Sequence, residues 1–417
     1  MTQAFRWRDG LAYGLLGLPL AFVALPLYVI LPNHYAREFG VPLATLGAVL
    51  LGARLFDAFI DPLIGRASDR LFARSPRAVL GFGAGAAVLL AAGFALLFFP
   101  PTRAPDALVL WATLVLVLTY AAYSALSVAH QSWGAMLGGD EAQRSRIVSW
   151  REGLGLVGVL LASVLPLAIG LPWTVAVFSA LLALAWWAWT RARAPQPRTD
   201  RHPASLWLPF SRPAFRRLLA VFVLNGIASA VPATLVLFFV QDRLQAPRNI
   251  EPAFLGSYFL CAALSIPLWL KAVGRFGLAR SWLAGMALAI AVFVWATQLG
   301  AGDVLPFIVV CALSGVALGT DLALPGAMLA GVIADAGDRG QAEGAYFGWW
   351  NFATKLNLAL AAGLALPLLG LFGYTPGARG EEALTALVVA YCLLPCVLKL
   401  LAALALYLTI IRHKASA

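Results

Sequence analysis

Three ionisable residues stand close together in an otherwise apolar stretch, Ala53-Arg54-Leu55-Phe56-Asp57-Ala58-Phe59-Ile60-Asp61-Pro62. At about 100° per residue, Arg54, Asp57 and Asp61 share one narrow helix face. Two carboxylates one turn apart repel each other unless a proton or a cation sits between them. The pair therefore reads as a device that binds and releases H+ or Na+, with sodium at Asp57 and Asp61 as the metal alternative and Arg54 balancing part of the charge. The competing reading is a structural ion pair.

Lys355 lies in Trp349-Trp350-Asn351-Phe352-Ala353-Thr354-Lys355, deep in a second apolar stretch. Only four of the 30 basic residues are lysines, and a lysine ammonium changes its proton affinity on burial where a guanidinium does not. Lys355 is expected to pair with Asp57 or Asp61 and to release them when a cation binds; a fixed salt bridge is the bland alternative. Further polar residues at membrane depth are candidates for solute contact. These are Arg151, His130, Gln131, Trp133, Asp321, Trp350 and Asn351. Each has an ordinary explanation as well: Arg151 snorkels and pairs with Glu152, His130 is a satisfied interior histidine, and Asp321 is a structural partner. Asn225 and Pro232 are weaker candidates, and Lys399 reads as a snorkelling residue near a helix end.

The elements that must carry these residues are membrane helices. Of 417 residues, 61% are hydrophobic and 12% charged, with a mean hydropathy of +0.84. Apolar runs of roughly 20 residues, enough to cross a ~30 Å hydrocarbon core, recur near 11–32, 42–64, 78–99, 107–136, 147–170, 172–190, 217–241, 252–270, 280–300, 303–333, 344–371 and 383–411. The expected fold is an all-α membrane protein of twelve transmembrane helices in two six-helix halves. Residues 1–190 form the first bundle, 191–216 a proline- and arginine-rich linker, and 217–417 the second bundle. With Met1 in the cytoplasm, 22 basic residues fall on the cytoplasmic side and 5 on the other, so both termini are expected inside. Met1 to Gly10 runs straight into a span and does not read as a cleavable signal. Asp140-x-x-x-Arg144 and Asp335-x-x-x-Arg339 echo each other before the fifth and eleventh runs, as expected of a six-plus-six repeat with a site between its halves.

The net charge of +11 is explained by loop topology, so no nucleic-acid partner is expected. Cys261, Cys311, Cys392 and Cys396 fall in apolar segments with no completing metal ligands and read as small packing residues. No HExxH, GxSxG or GxxxxGK[ST] occurs, so neither an enzyme nor an ATP-driven pump is expected. What is left is secondary active transport of a small polar or amphipathic solute by alternating access. The alternatives are a transporter or exporter of lysolipids or other amphipathic anions, and a non-transporting receptor or scaffold. Expected partners are the solute and membrane lipid, and no cofactor is expected beyond the coupling ion. The arginine-rich composition suggests a bacterial inner membrane.

At these residues the chain resembles the melibiose-permease-like glycoside–pentoside–hexuronide:cation symporters of the major facilitator superfamily. The resemblance rests on Arg54-x-x-Asp57-x-x-x-Asp61-Pro62 with Gly65, on Tyr123 through Asp140-x-x-x-Arg144 to Arg151, and on the Lys355 segment ending in Gly370-Leu371-Phe372-Gly373-Tyr374. It implies that Asp57 and Asp61 are cation-site carboxylates, Lys355 the eleventh-helix lysine, Arg151 a substrate-cavity arginine, and the working form a monomer. Two positions depart from the family: Ala21 and Ser127, or a neighbour, stand where sugar-transporting members carry aspartates. Losing both removes strong acceptors for sugar hydroxyls and thins a sodium site, which tilts the expectation towards protons.

Overall fold

The computed structural model describes residues 5–195, 205–374 and 377–412, and it is helical throughout. The middle of the expected linker and both chain ends lie outside the described residues. In chain order the helices are α1 Trp7–Leu25, α2 Leu43–Arg74, α3 Pro76–Phe98, α4 Pro105–Leu137, α5 Glu141–Pro166, α6 Ala168–Thr190, α7 Pro213–Arg243, α8 Glu251–Phe276, α9 Leu278–Ala296, α10 Val304–Asp335, α11 Glu343–Leu371 and α12 Glu381–Ile411. Among the described residues, ten helices are long and apolar enough to cross a membrane. The protein is integral to the membrane.

Local sequence sets the helix limits. Ser75 caps α3 by accepting the Ala78 N–H at 3.1 Å, and Pro76 takes the first helical position, where its missing N–H costs nothing. Asp140 caps α5 in the same way, accepting the Gln143 N–H at 2.8 Å. α5 and α6 run on as one stretch that breaks at Gly170, whose φ of 77° is open to glycine and strained for other residues. α1 passes into a wide π turn at Pro26–Ile30 and then into Leu31–Glu38. It is therefore longer and more bent than the run near 11–32 suggests.

The chain divides into two compact units, Met1–Ser211 with Ala330–Phe352, and Arg212–Leu329 with Ala353–Ala417. In the first, α1 lies along α5 without side chains between the backbones. A Cβ on Gly17 would overlap the Arg151 carbonyl, and one on Gly158 would overlap that of Leu18. Small residues are how helices approach closely where no hydrophobic effect drives them together. The second unit packs in the same manner, with Gly285 against Thr320 and Gly315 against the Tyr258 carbonyl. One end of this unit is filled by aromatic rings, with Phe239 stacked on Tyr391 at 4.3 Å and Phe307 beside both.

Candidate functional site

α2 brings Asp57 and Asp61 to one buried face, 2% and 0% exposed, while Arg54 one turn before them is exposed. The Ser124 hydroxyl of α4 donates to Asp57 Oδ1 at 2.7 Å, so α4 fixes the orientation of that carboxylate. Pro62 follows within the helix and frees a carbonyl of the preceding turn. Two buried carboxyl groups one turn apart can exchange a proton or ligate a small cation. Among the described residues no three of His, Cys, Asp and Glu cluster as a metal site.

Arg151 lies ten residues into α5, about 15 Å along its axis, and its Nη2 donates to Glu152 Oε1. Tyr13, Tyr123 and His130 lie close enough to interact with its charge. His130 itself is fully buried, stacked on Tyr13 with ring centroids 4.3 Å apart, and its Nε2 meets the Tyr13 carbonyl at 2.7 Å. Gln131 donates to Ser127 Oγ at 3.2 Å. Trp133 is buried and donates to the Arg193 carbonyl at 3.0 Å. His130 Nε2 thus ties α4 to α1, Trp133 ties α4 to the segment after α6, and His130 Nδ1 is buried with no hydrogen-bond partner among the described residues. Trp350 is buried, Asn351 half-buried, and both stand at the start of α11 in the first unit.

In the second unit, Lys355 is half-buried on α11. Asp321 of α10 sits in a saturated network. Its Oδ1 accepts from Asn225 Nδ2 at 3.0 Å and Trp282 Nε1 at 2.8 Å, and its Oδ2 accepts from Ser229 Oγ at 3.2 Å and Lys399 Nζ at 2.9 Å. Lys399 also donates to Asn225 Oδ1 at 2.8 Å and Ser229 Oγ at 3.1 Å. Lys399 therefore does not snorkel: it is buried, and its three protons are spent inside the unit. Its partner carboxylate lies 78 residues away in sequence, beyond any local pattern that would betray it.

A further cluster joins distant parts of the chain within the first unit; Arg144 and Arg339 of the echoed loops belong to it, and Asp69 and Glu343 are not among the candidate site residues of the sequence. Asp69, in the last turns of α2, accepts the Gly344 N–H at 2.6 Å and the Ala345 N–H at 2.9 Å at the start of α11. Carboxylates favour such helix starts because the first N–H groups are unpaired and the dipole is positive. Gly344 and Gly348 let α11 press on the α2 backbone at Gly65 and Pro62. Beside this crossing, Arg339 donates to the Met136 carbonyl at the end of α4 at 2.9 Å. Arg144, at the start of α5, lies about 3.2 Å from where a Cβ on Gly331 near the end of α10 would stand. Each arginine of the two echoed loops thus reaches the final turns of a helix from the other half of the sequence. Asp69 lies five residues beyond the expected span 42–64, and Glu343 precedes the span 344–371. Burial and the Glu343 charge push Asp69 well above the usual carboxylate range, against the pull of its two backbone N–H groups. Burial likewise pushes Glu343 up to about 7, opposed by backbone N–H groups and Arg339.

Comparison with known proteins places this arrangement. A protein of Salmonella typhimurium described as "Putative sulfoquinovose importer" is 26% identical over 97% of this chain and 89% of its own. The inner membrane symporter YicJ of Escherichia coli is 27% identical over 61% of this chain and 60% of its own. Among solved structures, a bacterial homologue of the iron transporter ferroportin aligns with a TM-score of 0.71 at 16% identity, over 96% of this chain and 98% of the other. The E. coli fucose:proton symporter aligns at 0.68 and 15%, over 94% and 98%. These two show the fold. Residues 10–413 match the family described as MFS/sugar transport protein, and the chain belongs to that family of membrane transporters.

Proposed function

We propose that the chain is a cation-coupled symporter that carries a glycoside-like solute across the bacterial inner membrane by alternating access. The observation that carries this reading is the pair Asp57 and Asp61, both buried on one face of α2, with Asp57 oriented by Ser124. Burying two like charges one turn apart is costly, and the cost is offset whenever a proton or sodium ion is taken up there. In the proposed cycle the cation neutralises the pair, Lys355 answers to its occupancy, and Arg151 contacts the solute. The two six-helix repeats, twelve spans in all with both termini cytoplasmic, then rock around the loaded site. The relatives described as symporters and as a sulfoquinovose importer support a sugar-like cargo.

The test is uptake by proteoliposomes containing the purified protein. Radiolabelled glycosides are offered with a sodium gradient, with a proton gradient, and with neither. Gradient-driven accumulation that collapses to passive equilibration in both Asp57→Asn and Asp61→Asn supports symport and identifies the ion. Equal, gradient-independent uptake by wild type and both variants would remove the coupling assignment.

A further inference from the structure

Two of the ion pairs among the described residues, Lys399–Asp321 and Arg151–Glu152, are built differently. Lys399 and Asp321 come from α12 and α10, and with Asn225, Ser229 and Trp282 they tie four helices together. Every proton of that lysine is engaged, which is the construction of a packing pin. Arg151 and Glu152 are consecutive residues of a single helix. Neighbours at i and i+1 point about 100° apart and do not face each other, so the arginine must fold back to reach the carboxylate. Among the described residues neither makes an ion pair to another helix. The pair therefore joins nothing to anything.

An ion pair held at membrane depth loses hydration and normally recovers it by fixing an interface. This one fixes none, and its side chains are 19% and 21% exposed against 9% and 15% for Lys399 and Asp321. Aromatic polar residues gather around it: Tyr13, Tyr123 and His130 are close to the guanidinium. Gly17 and Ala21 of α1 leave the opposing wall bare, the first against Arg151 and the second 3.4 Å from a Cβ placed on Gly155, one turn beyond Glu152. The backbone there is packed, while the two charged side chains keep about a fifth of their surface exposed.

From this geometry we infer that Glu152 is a solute-binding residue, and that Arg151 and Glu152 together grip adjacent hydroxyl groups of an uncharged polyhydroxy solute. The inference rests on the carrier reading above and specifies its cargo. A vicinal diol offers what the opened pair needs, since one hydroxyl donates to the Glu152 carboxylate while its neighbour accepts from the guanidinium. In the empty site the two side chains satisfy each other, and the solute replaces that bond by two. A free anion fits less well, because a carboxylate or sulfonate on Arg151 would stand next to the displaced Glu152 charge.

The test is ligand-induced thermal stabilisation of purified full-length protein with methyl α-D-glucoside, methyl α-D-galactoside and D-glucuronate, each with and without sodium and at two pH values. Wild type, Glu152→Gln, Glu152→Asp and Asp57→Asn are compared, each first checked for an intact unliganded melt. Wild type is expected to bind a neutral methyl glycoside more tightly than glucuronate. Glu152→Gln should weaken neutral binding about tenfold, the ratio between a charge-assisted and a neutral hydrogen bond, and should narrow or reverse the preference over glucuronate. Glu152→Asp, which keeps the charge, should retain the preference and supplies the comparison if the glutamine variant does not fold. Unchanged affinities and preference in Glu152→Gln would overturn the inference alone. A wild type that binds neither methyl glycoside would overturn both the inference and the glycoside cargo. If Asp57→Asn leaves cation dependence intact while Glu152→Gln still shifts sugar preference, the coupling assignment fails and the inference stands.

Discussion

Removing the Asp69 carboxylate should loosen the start of α11, and the size of the effect follows from its bonds. Asp69 accepts two short backbone N–H bonds, at 2.6 and 2.9 Å, from Gly344 and Ala345. Leaving a buried donor unsatisfied costs about 1–3 kcal/mol, and two donors to one carboxyl group are less than additive. Asp69→Ala should therefore cost about 3 kcal/mol locally, or roughly 150-fold in the opening equilibrium at about 1.4 kcal/mol per decade. Asp69→Asn retains one neutral carbonyl acceptor and should cost about half as much, roughly tenfold. Hydrogen–deuterium exchange of peptides covering residues 340–348 reads these amides directly. Faster exchange at Gly344 and Ala345 in the order Ala, Asn, wild type is expected, with peptides of the second unit's aromatic end unchanged. Identical protection in all three proteins would show that helix packing at Gly65 and Gly348 holds α11 without the carboxylate.

Three other outcomes follow from the same structure. Glu343 has its folded value raised to about 7, so its contribution is complete at acid pH and is lost as pH rises through that value. The protein should melt higher at pH 5.5 than at pH 8, with Glu343→Gln flattening the difference. Lys399→Met or Asp321→Asn alone should cost about 3–5 kcal/mol by stranding a buried charge, while Lys399→Met with Asp321→Leu should recover most of the loss in melting temperature. Gly158→Ala should abolish a stable fold, because its Cβ would overlap the Leu18 carbonyl, whereas Gly155→Ala meets only ordinary contact at 3.4 Å. Expression and detergent melting curves distinguish the two.

What could be read from the sequence was what periodicity and charge density encode. The apolar runs marked the helices because a membrane helix needs about 20 residues, and Asp57 and Asp61 stood out because ionisable groups are rare among them. The break at Gly170 was legible as the boundary between two runs. What could not be read were partnerships across long separations. Asp69 meets Gly344 and Ala345 across 275 and 276 residues, and nothing near either end announces the other. Lys399 reads as a surface-seeking lysine because its own neighbours are uniformly apolar; only α7, α9 and α10 reveal why it stays inside. The echo of Asp140-x-x-x-Arg144 in Asp335-x-x-x-Arg339 was visible as a repeat, but not the reach of each arginine to a helix end. Glycine contacts such as Gly17 with Arg151 were hidden for a simpler reason: a missing side chain leaves no signature of what presses against it.

The Lys399–Asp321 pair also bears on how the chain is made. Each residue alone costs an inserting helix about 2.5–3.5 kcal/mol at its centre, which the apolar bulk of α10 and α12 can absorb. Asp321 emerges from the ribosome 78 residues before Lys399, an interval of about 4–16 s at about 5–20 residues per second. During that time α10 must wait beside the insertion machinery, or lean on Asn225 and Trp282, which are already synthesised. The second unit can therefore close its charge balance only when α12 arrives, so a nascent chain truncated before Lys399 should be held by the translocon or marked for degradation.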